Sequence, residues 1–150
     1  MKVVINECYG GFGLSPLAIK RYAELNGKEC YFFKLSLTED NNKSITLEEA
    51  NKEFCWVAYS VPNPEDYKLN KRDEDGLYKS ANKRAGKISL SYRDIKRNDK
   101  NLIKLVSELG DKANGKCAKL KIVKIPDNVE YEIEEYDGIE WISEKHRRWE

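Results

Sequence analysis

"INECYGGFGLSPLAIKRYAEL", residues 5–25, is the stretch on which the fold turns. It joins the end of a β-branched run, "KVVI" (residues 2–5), to a segment of helical period. Ser15 is a good helix cap and Pro16 suits a first helical position. Ala18, Ile19, Tyr22 and Ala23 then recur on one helical face, and Gly27 ends the pattern. Between strand and helix lie Gly10, Gly11 and Gly13, with Cys8, Tyr9 and Phe12 among them. A glycine turn leading into a helix N-terminus can cradle a phosphate, because its backbone N–H groups are approachable and sit at a positive dipole end. It can equally be a tight corner.

Further along, "ECYFFKLSL" (29–37) reads as a second strand, so the chain opens β–α–β. Residues 39–52 are polar and loop-like or weakly helical. "FCWVAYSV" (54–61) reads as a third strand and "KISLSY" (87–92) as a fourth. Residues 63–87 between them are polar and aperiodic, and read as a flap or loop excursion. Asp99 caps a second main helix carrying Leu102, Val106, Leu109 and Ala113, closed by Gly115. "AKLKIVKIP" (118–126) alternates as a strand, and Asp137-Gly138 sits between two alternating runs as a primed hairpin turn. The pattern predicts one α/β domain over residues 1–150, with a mixed sheet of about six strands, two main helices and a C-terminal β-hairpin.

The 150 residues suffice for a packed core. With 35% charged residues but a net charge of only +1, the chain lacks the lopsided basic field of a nucleic-acid binder. The N-terminal apolar run is short for a signal peptide, and no stretch approaches the roughly 20 apolar residues of a membrane span. A soluble, intracellular protein is expected. Cys8, Cys30, Cys55 and Cys117 form no CxxC pair and read as buried small hydrophobes; no metal or cofactor is expected.

Three further stretches hold residues with chemistry. In "SYRDIKRND" (91–99), Arg93 and Arg97 could grip a phosphate, with Tyr92 beside them and Asp94 orienting a guanidinium or binding a ribose hydroxyl. A surface ion pair is the alternative. The hairpin carries Glu130, Glu132, Glu134, Glu135, Asp137, Glu140 and Glu144, which could do acid–base work or simply face water. "EKHRRWE" (144–150) holds the lone histidine, His146, which Trp149 could help dock.

"CYGGFGLS" (8–15) and the C-terminal third, from Leu102 to Trp149, together resemble a widespread family of small tailed-phage proteins. "SYRDIKRND" is similar to that family's segment before the helix, although Arg97-Asn98-Asp99-Lys100 stands where the family has Arg-Thr-Asp-Pro. The resemblance spans most of the chain, with residues 39–87 divergent. It implies a phage origin and the cytoplasm of an infected bacterium, and names no activity. By analogy of context, such proteins often oppose host defences, some by sequestering nucleotide immune signals.

The expectation that joins these readings is a binder of a small nucleotide-like phosphorylated ligand. Its ligand-binding set would be Cys8, Tyr9, Gly10, Gly11, Phe12, Gly13, Ser15, Tyr92, Arg93, Asp94 and Arg97, in a homo-oligomer that meets no nucleic-acid polymer and no membrane. Two alternatives stand beside it: a protein-interaction inhibitor of a host factor, and an enzyme cleaving such a nucleotide through Glu144 or the Cys8 thiol.

Overall fold

A computed structural model describes residues 1–35 and 43–146. The distal part of the second expected strand, the start of the polar stretch from residue 39, and Trp149 lie outside the described residues. Within the expected α/β class, the described residues form seven strands and four α-helices and divide into two compact units. One comprises residues 1–22 and the chain from 92 onward; the other comprises residues 23–91.

In the first unit, β1 (Lys2–Asn6) pairs antiparallel with β5 (Leu120–Lys124), Val4 opposite Ile122. Val3, Val4, Ile5 and Asn6 are all buried, as a β-branched run covered on both faces should be. The helix α1 (Pro16–Leu25) begins where Ser15 and Pro16 place it, and Ala18 and Ile19 are buried. Its end is a Schellman closure: Gly27 has φ 69°, Lys28 N–H donates to Ala23 O, and Gly27 N–H donates to Glu24 O. The helix α4 (Lys100–Leu109) is capped by the Asp99 carboxylate, which accepts from Asn101 N–H and Leu102 N–H. Leu102, Leu105 and Val106 form its buried face. It stops at Gly110, before the expected Gly115; a short 3-10 turn over Gly110–Ala113 buries Ala113 and carries the chain onward.

The C-terminal hairpin is as expected. Strands β6 (Tyr131–Tyr136) and β7 (Ile139–Glu144) pair in register around Asp137 (φ 50°) and Gly138 (φ 90°). Both turn residues have positive φ, the geometry whose twist matches the flanking strands.

The second unit holds the sheet β3-β2-β4, from β2 (Tyr31–Lys34), β3 (Lys43–Ile45) and β4 (Trp56–Tyr59), with a short helix α2 (Leu47–Lys52) capped by Thr46. Phe33, Tyr59 and Ile88 centre its core, and burial pushes the Tyr59 hydroxyl above its ordinary pKa.

Three expectations are corrected. The described strands do not make one mixed sheet: they lie in three small sheets, every pairing among them antiparallel. Among the described residues no crossover joins two parallel strands. "KISLSY" is not a strand but the end of α3 (Lys79–Ile88) followed by a single bridge, Tyr59 to Ser89. The polar flap likewise has structure, with a 3-10 turn at Pro64–Tyr67 and α3 itself. Lysines and a glycine hid that helix. Its buried side is narrow, Ala81 and Ile88, because the three-residue repeat of large apolar side chains is missing.

Candidate functional site: the glycine corner

The corner is built around Asn6, which is fully buried. Its Nδ2 donates to Cys8 O at 2.6 Å and to Gly138 O at 2.7 Å, while Oδ1 accepts from Lys119 N–H at 2.7 Å. Its backbone N–H donates to a Glu140 carboxylate oxygen at 2.8 Å. One side chain therefore ties β1, the glycine loop, the hairpin tip and the start of β5, and each of its polar atoms has a partner.

The glycines are there for close approach. Gly10 and Gly11 have φ 103° and 97°, which L side chains rarely adopt. Gly10 N–H donates to Asp137 O at 3.1 Å. A Cβ at Gly138 would lie 2.6 Å from Gly10 N and 2.8 Å from Gly10 C, and would also strike Gly11 N. A Cβ at Gly115 would lie 2.9 Å from Gly13 C, and Gly115 N–H donates to Gly13 O. The hairpin turn thus rests directly on the backbone that an incoming phosphate would need.

Arg97 shows the same commitment. Its guanidinium donates to both Glu140 oxygens at 2.8 Å and to Val4 O at 3.3 Å. The side chains are 23% and 9% exposed, so this fork-to-fork pair is largely out of water. The guanidinium stacks on the Phe12 ring, 3.4 Å from its centroid, and the Phe12 ring meets Tyr92 at 6.0 Å. Val4 N–H donates to Arg97 O. The edge of β1 away from β5 is thereby closed by Arg97 and Glu140 rather than by a third strand.

Ser15 caps α1 as expected, its Oγ accepting from Ala18 N–H and donating to Lys112 O. Cys8 is half-buried, Tyr9 is 63% exposed, and Arg93 and Asp94 are exposed in the turn that holds Tyr92. The structure therefore gathers Phe12, Tyr92 and Arg97 into contact and leaves Tyr9, Arg93 and Asp94 facing solvent. At the adjoining strand, Lys119 and Lys121 hold Glu7 at 3.1 and 3.3 Å and lower its carboxyl pKa through their hydrogen bonds.

Asn6, Glu140, Gly115 and Gly138 are the corner residues that the sequence did not single out as site residues. In the sequence Glu140 reads as one of a run of carboxylates that face water. Period-two reading of "IEWISE" places Glu140 with Ile142 and Glu144, opposite a face of Ile139, Trp141 and Ser143 that looks more apolar. The structure points the Glu140 face inward, because Arg97 makes a carboxylate acceptable there. Cys55 and Cys117, expected to be buried, are exposed, and His146 is exposed as well.

In the second unit an open depression of about 530 Å³ lies between Lys71 and Arg84. Its charges are held locally: Asp73 accepts from Ser80 N–H, which lowers its pKa, and Arg84 donates to Tyr67 O and Lys68 O. Among the described residues no group of three or more His, Cys, Asp or Glu is arranged to hold a metal ion, and no helix is long and apolar enough to cross a membrane. Comparison of the chain with protein-family models, with curated proteins and with solved structures yields no match.

Proposed function

We propose that this chain is a binding protein that acts by contact with a macromolecular partner. The observation that carries this reading is a division of labour around the corner. The groups suited to an anion, Gly10 N–H and the Arg97 guanidinium, are bonded within the fold, while Tyr136 and Trp141 on the neighbouring hairpin stand 73% and 43% exposed. Large aromatic side chains held in water by a rigid scaffold are the residues that dominate protein interfaces. The resemblance to small tailed-phage proteins supports a partner in the bacterial host, with inhibition of a host factor as the outcome. The test is co-purification of the tagged full chain from bacterial cells. One protein retained near equal stoichiometry, lost in Trp141→Ala and kept in Tyr9→Ala, is the expected result. Retention that ignores Trp141 and depends on Tyr9 would overturn it.

A second reading, sequestration of a nucleotide-like ligand by a homo-oligomer, is favoured by Tyr9, exposed beside Gly11, whose Cβ position is open. A base would stack on Tyr9 and phosphates would meet Arg93. Reaching the Gly10 and Gly11 N–H groups would require the hairpin tip to withdraw. Stoichiometric nucleotide released on heating, abolished by Gly11→Asp, would favour this reading.

A further inference from the structure

The register of the hairpin sorts its side chains. Directly opposed residues share a face, so Tyr136 with Ile139, Glu134 with Trp141, and Glu132 with Ser143 stand on one side. Glu140 and Ile142 lie on the other, where Glu140 meets Asn6 and Arg97. On the first side Tyr136 and Trp141 are exposed, as are Glu132 and Glu134.

That face is pre-organised. Glu134 accepts from Trp141 Nε1 at 2.9 Å and from Ser143 Oγ at 2.6 Å, which holds the indole by its only donor. The indole face, rather than its N–H, is left for a partner, and ring faces attract cations. A side chain already held in its bound orientation loses little entropy on docking.

Asp127 is paired with the N-terminal ammonium and Glu140 with Arg97, whereas Glu132 and Glu134 leave the Trp141 face acidic, with no Lys or Arg in either strand. Residues 127–144 contain eight carboxylates and no Lys or Arg, so the rest of the chain carries a net +9. An isologous dimer through this face would set like charge against like charge, which disfavours a second copy seated symmetrically on it. Six-residue strands give a face about 20 Å long, and two strands make it about 10 Å wide. That is well short of the roughly 800 Å² per partner of a standard interface. The occupant must therefore reach around the hairpin instead of lying flat against it.

We propose that the outward face of the β6–β7 hairpin docks into a cleft of a partner protein lined by Lys and Arg, with Trp141 as the anchor and Glu132 and Tyr136 at the rim. This rests on the reading of the chain as a macromolecular binder and adds the face and the chemistry of the partner.

The test replaces Tyr136 with the photocrosslinking residue p-benzoylphenylalanine in the full chain, expressed in bacterial cells, and maps the crosslinked peptides by mass spectrometry. The expected crosslinks fall in a Lys/Arg-rich surface of another protein. They drop at least tenfold in Trp141→Ala and in Glu132→Lys, and when lysate is brought to high salt before irradiation, as contacts between complementary charges should. Glu132→Lys leaves the packed side of the hairpin intact, so its loss of crosslink is not a loss of fold. Crosslinks to a second copy of this chain, to a neutral or acidic surface, or none from Tyr136 would overturn the proposal. A complex that co-purifies but crosslinks elsewhere would sink the docking face alone; absence of any complex would sink the binding reading with it.

Discussion

Gly138→Ala should be among the most damaging single substitutions in the hairpin, and its cost can be built from the contacts it breaks. At φ 90° an alanine is strained by about 1–2 kcal/mol. Its Cβ would also sit 2.6 Å from Gly10 N, against backbone atoms that cannot rotate aside. The hairpin tip must then retreat, and two hydrogen bonds go with it: Gly10 N–H to Asp137 O, and Asn6 Nδ2 to Gly138 O. Each is worth about 1 kcal/mol, more where it leaves a buried group without a partner. The sum is about 3–5 kcal/mol. Gly11→Ala is the control, since its φ is 97° but nothing lies within 4 Å of its Cβ. It should cost only the strain of about 1–2 kcal/mol. Urea denaturation of the full chain, followed by circular dichroism, reads the difference. With a slope of about 2 kcal/mol per molar, the Gly138→Ala midpoint should fall roughly 1 M below that of Gly11→Ala. Equal midpoints would refute the claim that the hairpin tip is seated on the glycine loop.

Other consequences follow from the same corner. Glu140→Ala leaves the Arg97 guanidinium largely out of water without its carboxylate, and should cost about 2–3 kcal/mol; a double-mutant cycle with Arg97→Ala should recover a coupling above about 1 kcal/mol. Asn6→Leu strands Lys119 N–H and the Cys8 and Gly138 carbonyls, and should lower the thermal midpoint more than any exposed-site variant, measured by differential scanning calorimetry. Lys119 and Lys121 depress the Glu7 carboxyl below 4.5 in the folded chain, so its contribution is present above the unfolded value and is lost as pH falls through the lowered folded one. Glu7→Gln should therefore show a shallower loss of urea midpoint between pH 5 and pH 3 than the parent, an effect kept small by the solvent that reaches this partly exposed carboxylate and its exposed lysines. Trp141→Ala should leave the unfolding free energy from urea denaturation within about 0.5 kcal/mol of the parent, because its ring is held at the surface.

Local signals in the chain carried the elements that depend on local physics. The Ser15 and Asp99 caps, the Gly27 closure and the Asp137-Gly138 turn were all readable, because each is decided within a few residues. What was not readable depends on partners far along the chain. The sheet order failed because short apolar runs do not reveal which strand they pair with, and β1 borrows its second edge from Arg97 and Glu140. The helix α3 was masked by its lysines. At the corner, the sequence marked the glycines, Phe12, Tyr92 and Arg97, yet it held no sign that Glu140, 43 residues beyond Arg97, would occupy that arginine. Asn6 looked like the polar end of a strand. A buried asparagine is recognised only when its four bonding partners are seen together.

The measurement that most directly tests the account is a native mass spectrum of the full chain purified from bacterial cells, taken before and after heating. The account predicts a complex with one protein partner, and no nucleotide released when it dissociates. A chain or oligomer of this protein that carries a nucleotide in stoichiometric amount, with no other protein bound, would contradict it and return the glycine corner to the role of a ligand cradle.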